Sequence, residues 1–190
     1  MPTVHKLSIA AALFAAACGG ALAQPALGAA PPRPPFILSS SAFQMDEVIP
    51  GKYAGTAGVT PPLSWINTPA GTQSFTLLLH DLEPAIDHGT GDVTHWLMFN
   101  IPGTATALPQ DVSPASALLP DGTIQAKNQA GRPGFIGPGA PPPNYHHYVF
   151  ELYALDTKLN LGAEASRSEI MAAMEGHVNG KAILVGRYHR

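Results

Sequence analysis

Residues 131–148 read GRPGFIGPGAPPPNYHHY and lead without a break into Val149-Phe-Glu-Leu-Tyr153. With four glycines and five prolines in eighteen residues, the first part forms neither a helix nor a central strand. Glycine opens positive φ and lets another group approach the backbone, whereas proline fixes φ and removes an N–H donor. The composition predicts a stiff, shaped loop. From Tyr148 onward the residues alternate as in a β-strand. Two histidines and a tyrosine therefore stand where a rigid loop meets a sheet, a common place for a binding site.

The rest of the chain sets limits around this stretch. Of its 190 residues 45% are hydrophobic and 12% charged, with 20 prolines and 19 glycines, which predicts one loop-rich, mainly β domain. A formal net charge of -3 with no Lys/Arg cluster leaves no field for wrapping nucleic acid. At the N-terminus, His5 and Lys6 precede the apolar run Leu7 to Ala17, and Ala21-Leu-Ala23 has the small-x-small form of a cleavage site. The expectation is a signal peptide over residues 1–23, a periplasmic or secreted mature chain, and no transmembrane segment, because the run is too short to span a bilayer. Lipid attachment at Cys18 is the lesser alternative, since Ala15 stands where a lipoprotein box usually has leucine. Residues 24–35 read as an alanine and proline tether, and the folded domain is expected over residues 36–190.

Strands are expected at Ser74 to His80, Val93 to Asn100, Tyr148 to Leu155 and Lys181 to Tyr188. Ser166 and Glu169 form a capping box, and the spacing of Ile170, Met171, Met174 and Val178 predicts a helix from Arg167 to about His177. The prolines at 61 and 62 place the strand entry ending at Trp65 on a sheet edge or bulge, and Pro84 is expected to stop the strand before it. Asp81 and Glu83, two apart at that strand end, are candidates to point together into a pocket. Simple alternation puts His95 on the face of Leu97 and Phe99, and Trp96, Met98 and Asn100 on the other. His146 and Tyr148 share a face by the same spacing, with His147 opposite.

Imidazoles, a tyrosine and the amides of Gly137, Gly139 and Ala140 would suit a phosphate, sulfate or carboxylate, with the prolines from Pro141 onward as a wall. Enzymatic signatures are missing: there is no G-x-S-x-G elbow, no Lys-Ser/Thr after the glycine-rich loop, and no helical His-x-x-x-His. No catalytic residue, metal or cofactor is therefore expected.

IPGKY at 49–53, TPPLSW at 60–65, PAGT at 69–72, THWLMFNIP at 94–102, the GP and PPP elements of 137–143 and HHYVFELYALD at 146–156 resemble the phosphatidylethanolamine-binding protein family, in its bacterial Raf-kinase-inhibitor-like branch. The resemblance runs from Phe36 to Arg190. It implies an antiparallel β-sandwich, a large sheet on a smaller one, with a C-terminal helix and a small pocket for phosphate-like anions or phospholipid head groups. The family's Asp-Pro-Asp-Ala-Pro segment falls on Asp81-Leu-Glu-Pro-Ala85, its pocket histidine on His95, its His-Arg-Tyr element on His146-His-Tyr148, and its glycine-proline wall on Gly137 through Pro141. Here His147 replaces an arginine, which removes a cation beside the pocket. The implied function is non-enzymatic binding, with inhibition of a kinase or protease-like partner as the alternative.

Overall fold

The computed structural model describes residues 33–55, 59–113 and 116–190. The expected signal peptide, Cys18 and tether residues 24–32 lie outside the described residues. Ordered β-structure starts with β1 (Ile37–Ser39) and continues with β2 (Glu47–Val48), β3 (Leu63–Ile66), β4 (Ser74–Ile86), β5 (Gly91–Pro102), β6 (Ala107–Leu108), β7 (Ile124–Gln125) and β8 (His146–Leu155). Helix α1 (Arg167–Met174) and strand β9 (Val178–Tyr188) complete the chain.

Two sheets result, a small one ordered β1-β3-β6 and a large one ordered β2-β9-β8-β4-β5-β7. Every pair is antiparallel except β2 with β9, which runs parallel, so the expected antiparallel sandwich carries one short parallel edge. The central strands are covered on both faces. That is why β4 and β5 hold the near-continuous apolar runs Leu77-Leu-Leu79 and Trp96-Leu-Met-Phe99, all of them buried. Leu77, Leu79, Trp96, Met98, Phe150 and Leu152 pack against Leu38, Leu63 and Trp65 of the small sheet. Leu78, Leu97, Phe99 and Leu155 pack on the other side against Ile170 and Met174 of α1.

Eight residues are too few for a helix to persist alone in water. Burial of Ile170 and Met174 contributes about 1.5–3 kcal/mol each and holds α1 on the sheet. The expected capping box is present: the Ser166 hydroxyl accepts the Glu169 N–H, and the Glu169 carboxylate accepts the Ser166 N–H. The helix ends at Met174, short of His177, because Gly176 takes a positive φ of 80° and starts the turn into β9.

Three other expectations are corrected. β3 is the centre of the small sheet, and its two prolines precede the strand, where their missing N–H groups cost no ladder bond. β4 continues past Pro84 to Ile86, since its pairing with β8 ends at Asp81 and Pro84 falls within a register shift against β5. The faces of β5 are also redistributed. Leu79 pairs with Trp96 but His80 pairs with Thr94, so His95 is an extra residue, a β-bulge. A second irregularity centres on Asn100, at φ 58°, whose amide bonds the N–H and carbonyl of Leu159 on the helix side rather than sharing the face of Trp96.

Ser166→Ala removes the helix cap and is expected to cost about 1 kcal/mol, lowering Tm by about 2–4 °C in a domain of this size. Urea and thermal unfolding followed by circular dichroism measure it.

Candidate functional site

β4, β5 and β8 lie side by side, and at one end of them Asp81 pairs with Tyr148 on one flank and Val93 on the other. The loop of residues 134–141 lies beside this end and borders an open cavity of about 500 Å³. Of the residues singled out in the sequence, Asp81, His95, Gly137, Gly139, Ala140, Pro141, His146 and Tyr148 come together around it.

The bulge determines where His95 goes. Simple alternation would carry its ring to the helix side with Leu97 and Phe99, but the extra residue turns it to the face between the sheets, edge-on to Tyr148 with ring centroids 5.2 Å apart. Bulging also frees the His95 backbone from the β4 ladder. Its carbonyl accepts the Ile136 N–H at 2.9 Å, and its Nδ1 donates to the Ile136 carbonyl at 2.8 Å. A carbonyl only accepts, so Nδ1 carries the hydrogen and the neutral ring offers the cavity a lone pair at Nε2. Burial holds the His95 pKa below the ordinary histidine value, and the bond to Ile136 offsets this only in part.

Asp81 is a buried carboxylate and has partners for both oxygens: Oδ2 lies 2.8 Å from His146 Nδ1, and Oδ1 accepts the Glu83 N–H at 3.2 Å. The carboxylate orients the His146 ring as it would in an Asp–His pair, leaving Nε2 as the polar atom presented to the cavity. Tyr148 is fully buried, and its hydroxyl accepts the N–H groups of Gly139 and Ala140 at 3.1 and 3.0 Å. Burial raises its pKa to about 12, so it remains a phenol.

These bonds correct the expected role of the loop amides. Gly139 and Ala140 donate to Tyr148, and Gly137 donates to the Gly55 carbonyl at 3.2 Å, so none of the three is left for an anion. Gly137 serves the packing instead. A Cβ there would stand 2.7 Å from backbone atoms of Ala54 and Gly55.

Glu83 does not line the cavity. The register shift after Asp81 breaks the i, i+2 relation, and its carboxylate turns to His147, accepting the backbone N–H at 2.8 Å and lying 2.5 Å from Nδ1. Partial burial alone would raise the Glu83 pKa, but the bonds from His147 outweigh it and leave it low. Asp81, Glu83 and His146 each bring a ligand atom within 4.8 Å of the others, a spacing a metal ion could bridge. As they stand, these groups are bonded to one another and to His147.

Pro84, Val93, Ile136 and Gly55 add mainly apolar wall, and Arg190 adds a cation that sequence reasoning missed. Its Nε donates to the Gly139 carbonyl and its N–H to the Ala140 carbonyl, both at 3.0 Å. The positive charge thought lost at His147 is thus supplied from the far end of the chain. No local pattern signals this, because β9 must first pair with β8 and so carry Arg190 to the loop.

A two-sheet sandwich whose central strands end in an Asp–His pair, a second histidine and a buried tyrosine under a proline-rich loop defines a recognisable class of fold. The chain belongs to the phosphatidylethanolamine-binding protein family, whose model matches residues 39–189. It is 42% identical to a UPF0098 protein of Methanothermobacter thermautotrophicus over 80% of this chain and 98% of that one. To the UPF0098 protein YbhB of Escherichia coli it is 31% identical, over 65% of this chain and 76% of the other. The crystal structure of Escherichia coli YbcL, described as a member of the mammalian family, superposes with a TM-score of 0.73 at 27% identity, over 82% of this chain and 98% of that one. Among the described residues no helix is long and apolar enough to cross a membrane.

Two outcomes are expected. Tyr148→Phe leaves the Ala140 N–H buried without an acceptor and costs about 1–3 kcal/mol, read by urea unfolding together with faster amide exchange at Gly139 and Ala140. For His95, the lowered pKa means the folded chain binds fewer protons than the unfolded one. Stability therefore falls as pH drops below the ordinary histidine value of about 6.5, and the loss is complete below the folded value. His95→Gln should flatten this slope relative to wild type when unfolding midpoints are compared across that range.

Proposed function

We propose that the chain is an exported, non-enzymatic binding protein whose cavity takes a phosphate-like anion or a phospholipid head group. The observation that carries this reading is the grouping of His95, His146, Tyr148 and Arg190 around one cavity of about 500 Å³. That volume suits a small ligand, and its wall is mainly apolar with a few convergent polar groups. Arg190 lines the cavity and supplies the positive charge, with its Nε on the Gly139 carbonyl.

A non-enzymatic role is supported by the state of the polar groups. Tyr148 is held as a buried phenol with two amides on its oxygen, which suits a structural prop rather than a nucleophile. The Asp81–His146 pair has the orientation of a general base, but among the described residues no serine, cysteine or threonine lines the cavity for it to activate. Export rests on the leader-like residues 1–23.

Calorimetry of the mature protein with phosphate, phosphoethanolamine and acetate tests the reading. At least one phosphate-bearing ligand should give saturable heat, with an affinity that falls by about tenfold or more in a His95→Ala/His146→Ala double variant, equivalent to about 1.4 kcal/mol. Equal heats for the two proteins, with circular dichroism confirming that the variant is folded, would refute it.

A further inference from the structure

Metal-ligating atoms converge where β4 and β8 stop pairing. Asp81, opposite Tyr148, is the last residue of β4 in that ladder. Beyond it side chains rather than backbone pairs join the strands: His146 Nδ1 lies 2.8 Å from Asp81 Oδ2, and the His147 N–H donates to Glu83 Oε2 at 2.8 Å. One oxygen of Asp81, one oxygen of Glu83 and one ring nitrogen of His146 all lie within 4.8 Å of one another. The sequence holds no helical His-x-x-x-His, but two neighbouring strands bring donors of the same kind together.

Charge sets this cluster apart from the other ion pairs of the large sheet. Asp92 is bonded by Arg167 and Glu151 by Lys181, each a permanent cation. The Asp81 side chain is only 4% exposed, yet among the described residues its ion-pair partner is His146 alone, and that of Glu83 is His147 alone. Arg190 lines the same cavity with its Nε on the Gly139 carbonyl and pairs with neither carboxylate. Two carboxylates held together with no permanent cation leave a place for a divalent ion.

Ligands of one zinc ion stand about 2.0–2.2 Å from it, and so about 3–3.5 Å from each other. Asp81 and His146 are already near that spacing. Glu83 has the freedom to close the rest, since its side chain is 34% exposed and follows a register shift. His147 would remain as the outer partner that orients the Glu83 carboxylate. One imidazole with two carboxylates gives a divalent ion mixed nitrogen and oxygen donors, a set that suits zinc or a similar first-row metal better than magnesium or calcium, which take oxygen ligands.

We infer that Asp81, Glu83 and His146 form a zinc-type metal site on the rim of the cavity, with three protein ligands and an open position. The inference does not rest on the anion-binding reading, and its probe is the metal alone.

The test is calorimetric titration of the untagged protein with zinc chloride in a buffer that does not bind metal, with magnesium and calcium chloride alongside. One zinc per chain should bind, about tenfold or more tightly than either of the other ions. Glu83→Ala and Asp81→Asn should each lower zinc affinity by about tenfold or more, with circular dichroism confirming the fold. His177→Ala, which breaks the exposed pair of His177 with Asp156 elsewhere on the surface, should leave it unchanged. Cobalt in place of zinc gives a second readout, because its visible absorption should differ between wild type and Glu83→Ala but not between wild type and His177→Ala. Zinc that does not bind stoichiometrically, binds no more tightly than magnesium or calcium, or binds equally well to the Glu83→Ala variant overturns the inference. None of these results bears on anion titrations made without metal.

Discussion

One extra residue in β5 governs the candidate site. Had His95 kept the regular ladder, its imidazole would sit among Leu97, Phe99 and the helix, and its backbone would pair with β4. Bulging instead sends the ring toward Tyr148 and releases a carbonyl that takes the Ile136 N–H, while Nδ1 takes the Ile136 carbonyl. A histidine fixed at both backbone and side chain to one loop residue has little freedom left. Its tautomer follows from the partner, so the bulge determines both where the ring is and which nitrogen faces the cavity.

The loop over the cavity is anchored along its length. Ile136 is tied to His95, Gly137 and Pro138 exchange hydrogen bonds with Gly55, Gly139 and Ala140 bond the Tyr148 hydroxyl, and their carbonyls accept from Arg190. A segment this rich in proline has few amide donors. The amides of Ile136, Gly137, Gly139 and Ala140 are each matched to an acceptor outside the loop, which is how a segment with no regular structure satisfies much of its buried backbone. The same bonds leave these four amides with nothing to offer a ligand.

This explains what the sequence made legible. The long strands could be read because their apolar runs are continuous, and His146 with Tyr148 because they lie in a regular stretch where a spacing of two means one face. Asp81 was legible for the same reason, up to the residue where its pairing with β8 stops. Beyond that point alternation ceases to hold, and Glu83 was misplaced. His95 does line the cavity, but its face was misread because a bulge is a property of two strands in register and leaves no mark on one of them. The roles of the Gly139 and Ala140 amides depend on how deep a phenol reaches, and Arg190 depends on β9 pairing with β8. Each failure concerns a partner outside the local run of residues.

The bulge also has a consequence on the opposite face of the large sheet. Because His80 pairs with Thr94, both turn toward α1, where the Arg167 guanidinium bonds Thr94 and Asp92, and Asp92 lies 2.5 Å from His80. Glu151, bonded by Lys181 and by the Tyr153 hydroxyl, approaches His80 from β8. Partial burial alone would raise the pKa of both carboxylates, but their partners outweigh it and hold each low, so both stay charged. Charges kept from water in this way favour the arrangement in which all are paired, since breaking one pair leaves its partner uncompensated. The strands that carry Asp81, His95 and His146 on one face are therefore cross-linked through His80, Thr94 and Glu151 on the other. Ile136 holds the bulge from the front and Arg167 holds the residue before it from behind, so a helix that lines no part of the cavity still constrains the strand on which His95 is carried.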